Sequence, residues 1–316
     1  MAILESKELV RYYGSHLAVD RVSFEVERGE IFAFLGPNGA GKTTTVRMLT
    51  GFFDPSSGTG LINGRDIVRE PIDARRHIGV VPEEANVYVD LTVWQNVMLM
   101  AELHRIDKKT RHKRGRTLLE AFDLYERRDE DGRTLSKGLK QRLMICMALV
   151  SAPDLLFLDE PTSGLDVKSA RLIRDTIVRM NKDEDMTVFL TTHNIGEAEQ
   201  LCDRVAIIDE GRIAAIDTPD ALRSVVASRR SVEVTFCDGD CGALSPEGLE
   251  GVEEVKPLSQ GFKIYSASPG RVAQQVASSA LEKGLEVQNI RTLEPSLEDV
   301  FVHITSEKNE EKQNDE

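Results

Sequence analysis

Cysteine is scarce. The four in the 316-residue chain, Cys146, Cys202, Cys237 and Cys241, are too few for a disulfide scaffold and fit a reducing compartment. Long apolar runs are missing too: none approaches the roughly 18 to 20 residues that a membrane helix requires. The first residues, Met1-Ala2-Ile3-Leu4-Glu5-Ser6-Lys7-Glu8, carry acids where a signal peptide needs a basic region and then an uninterrupted apolar one. The chain itself is therefore expected in the cytoplasm. Basic residues are in deficit, 40 Lys and Arg against 53 Asp and Glu, for a formal net charge of -13. That balance argues against a general polyanion binder, since phosphate-backbone affinity comes mainly from an excess of Lys and Arg. It leaves room for a small phosphorylated ligand at one local site. No internal repeat is visible.

An apolar fraction of 41% and a charged fraction of 29% are those of a soluble globular protein. The length is too great for one ordinary domain and short for three. Val22, Phe24 and Val26 alternate with polar residues as in a half-buried strand, and Ile31-Phe32-Ala33-Phe34-Leu35 reads as a fully buried one. Further apolar runs, Leu155–Leu158, Val188–Leu190 and Val205–Ile208, are separated by helical patterns such as Ala170, Ile173, Ile177 and Met180. Strands alternating with helices predict a sheet with substantial parallel character. The stretch from about 88 to 150, rich in Leu, Met, Glu and Arg, reads as a helical insertion whose last helix follows Asp129-Glu130-Asp131-Gly132. Near residue 223 the character changes to a small α+β domain, 224–305. Its strands are expected at Ser231–Phe236, Phe262–Tyr265 and Glu286–Ile290, and its helix at Arg271–Lys283, closed by Gly284. Ser296-Leu297-Glu298-Asp299 has the form of a capping box and opens a last short helix to about His303. Residues 306–316, acidic and without apolar side chains, read as a disordered tail.

Three segments carry chemistry. Gly36-Pro37-Asn38-Gly39-Ala40-Gly41-Lys42-Thr43 fits a phosphate-binding loop between a buried strand and a helix. Glycines let successive backbone N–H groups curl around phosphate oxygens, and the helix N-terminus adds positive potential. Lys42 would reach the β- and γ-phosphates, and the Thr43 hydroxyl would ligate Mg²⁺. Leu155–Leu158 ends in Asp159 and Glu160, the first suited to the Mg²⁺ shell and the second to polarise an attacking water as general base. A solvated strand end would carry the same acids. In Leu135-Ser136-Lys137-Gly138-Leu139, Ser136 caps a helix whose N-terminus could face an anion, or which is simply a capped helix.

Taken together and in this order, the segments resemble the nucleotide-binding subunit of an ATP-binding cassette (ABC) transporter over about residues 4 to 220. The resemblance implies an α/β fold, a P-loop NTPase ABC-type nucleotide-binding domain (1–223) with a helical insertion, plus the small α+β C-terminal domain. Gly36, Pro37, Asn38, Gly39, Ala40, Gly41, Lys42, Thr43 and Thr44 match the Walker A loop, Leu155 to Glu160 Walker B, and Ser163-Gly164-Leu165-Asp166 the loop after it. His193 matches the switch histidine that contacts the γ-phosphate and steadies Glu160, the two together being the catalytic pair. Tyr13 matches the aromatic that stacks on adenine, with Tyr12 as the competing candidate. Ser136 and Gly138 are the safest matches to the signature, which contacts the ATP of the other subunit. ATP, Mg²⁺, a homodimer or paired cassette joined head to tail around two nucleotides, and a separately encoded integral-membrane permease are therefore implied, at the cytoplasmic face of the membrane. Asp166 would lie at the dimer interface.

Two departures from the family pattern stand out. Glu83 takes the place of the usual glutamine, where a carboxylate could still ligate Mg²⁺ and bind it more strongly. Lys137 and Leu139 stand where glycine and glutamine are more usual. Both departures, and Glu294–Phe301, resemble the drug-efflux and sodium-efflux branch, which implies export of a drug-like, lipid or ion substrate. The alternative is a soluble, non-transport ATPase of the same superfamily acting on nucleic acid or ribosomes; such relatives usually carry a long coiled coil or two cassettes per chain, and neither is present. Nucleic acid is not an expected partner. The seven Lys and Arg between Arg105 and Arg116 fit a solvated helix start, because no aromatics interleave. Cys237 and Cys241 lack further ligands for a metal, and Trp94 reads as packing, with an interface role as the lesser option.

Overall fold

The computed structural model describes residues 1–84, 86–225, 230–237 and 244–303. Contacts divide the chain into Met1–Asp217 and Thr218–Glu316, earlier than the boundary expected at 223, because the helix Pro219–Val225 goes with the second unit. In the first unit β1 (Ala2–Tyr13) and β2 (His16–Glu27) pair as an antiparallel hairpin that turns at Gly14, whose φ is +60°. Next come β3 (Ile31–Leu35), α1 (Lys42–Leu49), β4 (Ser57–Ile62), β5 (Arg65–Asp66), α2 (Pro71–Arg75) and β6 (Ile78–Val81). The insertion follows as α3 (Val93–Leu103), α4 (Lys108–Ala121) and α5 (Lys137–Leu149). The chain then returns through β7 (Leu155–Asp159), α6 (Val167–Glu184), β8 (Thr187–Thr192), α7 (Ile195–Leu201), β9 (Arg204–Asp209) and β10 (Arg212–Asp217).

These strands make two sheets. One is antiparallel, ordered β2-β1-β4-β5; the other is ordered β10-β9-β3-β8-β7-β6, parallel except where β10 runs against β9. β3, β7 and β8 are buried at every residue, as strands covered on both faces must be. The two sheets share one core built on phenylalanine. Phe24 of β2 lies with its ring centroid 4.9 Å from Phe34 and 5.6 Å from Phe189, and Phe189 lies 5.3 Å from Phe157. Fully burying each such ring contributes about 1.5–3 kcal/mol. On α6 the stripe Ala170, Ile173, Ile177 and Met180 is buried as its spacing predicts.

The insertion is helical for sequence reasons. Thr92 opens α3 in a capping box with Gln95, and Asp107 and Ser136 cap α4 and α5. Of the basic run, Arg111 pairs with Glu102, Arg116 pairs with Glu120, and Arg114 reaches the carbonyls of Val150 and Ser151. Trp94 meets His112 edge-on at 5.4 Å, a packing contact. The thiols of Cys146 and Cys202 are buried, and burial pushes both well above the ordinary thiol range.

The second unit opens with α8 (Pro219–Val225). It forms the antiparallel sheet β12-β13-β11-β14 from β11 (Ser231–Phe236), β12 (Glu254–Leu258), β13 (Gly261–Tyr265) and β14 (Val287–Leu293). Helix α9 (Pro269–Glu282) covers it with Val272, Val276 and Ala280 against Val232, Val234 and Ile264. Residues 297–303 are helical. Their capping box is formed: the Asp299 amide donates to Ser296 Oγ at 3.2 Å and the Ser296 amide to Asp299 Oδ2 at 3.0 Å. Residues 306–316 and Cys241 lie outside the described residues.

Candidate nucleotide-binding and hydrolysis site

β3 ends at the glycine-rich loop, and the loop's shape follows from its residues. Gly39 and Gly41 have φ of +86° and +99°, a region that side chains other than glycine's rarely tolerate. A Cβ on Gly36 would lie 2.2 Å from the carbonyl oxygen of Ile208, and one on Gly41 2.7 Å from that of Ala18. The turn between β9 and β10 supports the loop from beneath: the Gly211 amide donates to Ala40 O at 3.1 Å, and the Asp20 amide to Gly211 O at 2.8 Å. The loop then leads straight into α1, whose first amides have no acceptor within the helix and so leave positive potential beside the loop. Lys42 is buried, with Nζ donating to the carbonyls of Gly36 at 2.8 Å and Pro37 at 3.1 Å.

β7 delivers the two acids beside this loop. Asp159 Oδ1 accepts from Thr43 Oγ1 at 3.1 Å and from Thr191 Oγ1 at 2.5 Å. Glu160 has φ of +49°, an unfavourable conformation for its residue type. Its amide donates to the carbonyl and hydroxyl oxygens of Thr191, both at 3.1 Å, which holds the turn. The carboxylate is buried. Its Oε2 bonds His193 Nδ1 at 2.8 Å, and its Oε1 faces Lys42 Nζ at 3.4 Å without a hydrogen-bond partner. One carboxylate thus links the phosphate-loop lysine to the histidine at the end of β8. A buried oxygen without a hydrogen-bond donor is costly, and here the Lys42 ammonium opposite it offsets part of that cost.

The remaining sequence candidates lie apart from this cluster. Ser136 caps α5, its Oγ accepting from the Leu139 amide at 3.4 Å, and Gly138 is buried against α6, where a Cβ would stand 2.6 Å from Ser169 Oγ. Lys137 Nζ donates to Ser163 O at 2.8 Å. Asp166 caps α6, accepting from the Ser169 amide at 2.9 Å, and Ser169 holds its carboxyl below the ordinary range through hydroxyl and amide. Among the described residues no hydrogen bond joins Ser136 or Gly138 to the phosphate loop. Glu83 is exposed and shares a surface hollow with Glu84, Lys137 and Lys140. Tyr13 and Tyr12 are adjacent on β1 and so point to opposite faces. Tyr13 meets Phe53 edge-on at 6.1 Å, with the Arg11 guanidinium 5.1 Å from its ring, whereas Tyr12 borders a hollow with Glu8 and Asp20. Thr191 and Thr192, which lead into His193 along the chain, help shape the site, as do Glu197 and Gly211, whose roles no local pattern marks.

A phosphate loop on a buried parallel strand, with a paired Asp and Glu ending a strand of the same sheet, defines a P-loop nucleoside triphosphatase. Residues 19–163 match the ABC transporter family, and residues 218–305 match the family described as ATP-binding protein DrrA1-3-like, C-terminal domain. The chain is 33% identical over 306 residues to the linearmycin resistance ATP-binding protein LnrL of Bacillus subtilis (strain 168), covering 96% of this chain and 98% of that protein. It is 36% identical over 308 residues to the daunorubicin/doxorubicin resistance ATP-binding protein DrrA of Streptomyces peucetius, covering 96% and 92% respectively. A dimeric ATP-binding cassette in a post-hydrolysis state bound to ADP and Pi superposes with a TM-score of 0.62 at 25% identity, over 68% of this chain and 98% of that one. The chain belongs to the ATP-binding proteins of ABC transporters and carries a DrrA-type C-terminal domain. It binds ATP and is an ATPase. Among the described residues no helix is long and apolar enough to cross a membrane.

Proposed function

We propose that the protein powers a separate membrane permease that exports a drug-like, lipid or ion substrate, from the cytoplasmic face of the membrane. The reading rests on the continuous contact Lys42–Glu160–His193 and on relatives named for resistance to linearmycin and daunorubicin. Gly36, whose amide donates to Thr192 O, and Pro37, which has no N–H, turn the chain into a phosphate cradle lined by Asn38, Gly39, Ala40, Gly41, Lys42, Thr43 and Thr44. In it the Lys42 ammonium exchanges its carbonyl partners for β- and γ-phosphate oxygens, and Tyr13 stacks on adenine. Thr43 and Asp159, whose hydroxyl and carboxylate oxygens stand side by side at 3.1 Å, suit Mg²⁺, and Glu83 joins them as a proposed ligand on the family resemblance alone. Bound there, the ion would neutralise charge on the phosphates.

Glu160 then takes a proton from water as its oxygen bonds to the γ-phosphorus, and the bond from that phosphorus to the bridging oxygen breaks to give ADP and phosphate. His193 orients Glu160 and meets the γ-phosphate. A second copy or a related cassette pairs head to tail, so that Ser136 and Gly138 of each chain reach the nucleotide held by the other, with Asp166 at the interface. Closure of that pair moves the permease, and hydrolysis resets it. The test is Glu160→Gln, which is expected to retain the fold and ATP affinity but to stop hydrolysis. With ATP and Mg²⁺ it is expected to elute as a dimer, and elution as a monomer at micromolar concentration sinks the paired-cassette reading. Lys42→Ala is expected to abolish ATP binding; unchanged affinity would overturn the phosphate-loop assignment.

A further inference from the structure

Glu197 is a buried carboxylate with no part in the chemistry above. It is 2% exposed, and no cation pairs with it among the described residues. An unpaired buried carboxylate lowers stability unless hydrogen bonds offset its desolvation. Two hydroxyls do so: Thr162 Oγ1 donates to Oε1 at 2.7 Å, and Thr192 Oγ1 donates to Oε2 at 2.8 Å. The arrangement departs from local helix chemistry. Glu197 stands third in α7 after the cap Asn194, whose Oδ1 accepts from the Glu197 amide at 3.1 Å. In a capping box the side chain at that position would reach back to the cap's own amide. Here the Asn194 amide goes to Thr192 Oγ1 at 3.0 Å instead, and both oxygens of Glu197 are left for longer-range partners.

Those partners flank the two residues assigned to hydrolysis. Thr162 follows Glu160 by one intervening proline, and Thr192 immediately precedes His193. Glu160 sits in a left-handed conformation that surrounding contacts must hold, and its Oε2 must stay on His193 Nδ1. We infer that Glu197 is a positioning residue: its carboxylate ties the turn after β7 to the end of β8 and so fixes Glu160 and His193 relative to each other. The inference rests on the roles proposed for Glu160 and His193.

The experiment measures ATP hydrolysis by the full chain carrying Glu197→Ala, Glu197→Gln or Thr162→Val, each alone and with His193→Ala. Glu197→Ala is expected to lower kcat on the order of 100-fold, as a displaced catalytic group does, with KM and ATP affinity within about 2-fold. Glu197→Gln, which keeps the volume and a hydrogen bond to each threonine, is expected to recover most of the rate, and Thr162→Val to fall between. In the His193→Ala background, Glu197→Ala is expected to cost little more, because the partner it positions is gone. Full additivity of the two losses would overturn the inference in favour of general loosening, as would an unchanged kcat in folded Glu197→Ala. If Glu197→Ala does not fold, Thr162→Val, alone and with His193→Ala, carries the same comparison. If His193→Ala alone leaves kcat unaltered, the histidine's role fails, and the bridge stands or falls on the kcat of Glu197→Ala at constant ATP affinity.

Discussion

At the scale of single residues, the site depends on short distances that leave no room for added atoms. Gly36 is the clearest case: the carbonyl oxygen of Ile208, 2.2 Å from where a Cβ would stand, is backbone of β9, paired on both sides, and cannot rotate away. Gly36→Ala is therefore expected to weaken ATP binding at least tenfold and to lower the melting temperature, measured by nucleotide titration and thermal melting. The segment proposed as the phosphate loop stands out in the sequence because its pattern is local, eight consecutive residues whose types and order suit one ligand. The bonds of Thr191 to Asp159 and of Glu197 to Thr162 join residues more than 30 positions apart. Threonine and glutamate are common enough that no pattern along the chain marks them. Glu83 was singled out by its departure from a family pattern, and the structure leaves it exposed beside two lysines.

Between elements, the junction of α5 with α6 stands out. Gly138 lies against Ser169, whose Oγ accepts from Arg142 Nη2 at 2.9 Å while its amide serves the Asp166 cap. Gly138→Ala would press a methyl group to 2.6 Å from that hydroxyl. The expected cost is about 1–3 kcal/mol of stability, read by denaturant titration, and Ser169→Ala in the same chain is expected to restore part of it. If the single variant is as stable as the parent, the two helices are not held as tightly as the distance indicates. The helices and the central strands were readable because caps and runs of apolar residues are local signals. β1, β4, β6 and β10 were not anticipated. Along β1 the pairing with β2 shifts register several times, so its burial does not alternate, and β10 lies at the sheet edge, where most of its side chains are half-buried. β12 escaped because it contains Pro257, which an edge strand tolerates.

For the molecule as a whole, one core serves both sheets of the first unit, and Phe189 lies within ring contact of Phe24, Phe32, Phe34 and Phe157. Phe189→Ala is expected to cost about 3–5 kcal/mol, enough to lose cooperative unfolding of that unit in a thermal scan. The second unit carries a pH dependence of its own. Burial raises the Asp299 carboxyl, but the Ser296 amide and hydroxyl and the Lys263 ammonium outweigh it and hold it below the ordinary aspartate value. A carboxyl lowered on folding stabilises above its unfolded pKa, about 3.9, and that contribution fades as the pH falls through the lower folded value. Asp299→Asn is therefore expected to reduce stability at neutral pH and to flatten its loss below about pH 4. A parallel pH curve for variant and parent would rule this out.

The amino-acid sequence by itself determined the family and the order of strands and helices through the centre of the first unit, and it marked the segment proposed as the phosphate loop. Each depends on neighbours along the chain: apolar periodicity, capping residues, and glycines spaced for one loop. Only the tertiary structure decided where the chain divides, that Lys42, Glu160 and His193 meet at one carboxylate, and that Glu197 bridges the segments holding two of them. Those contacts arise when β3, β7 and β8 align in parallel. Parallel strands bring together ends that are distant in sequence, and nothing local to either end encodes the partner it will meet.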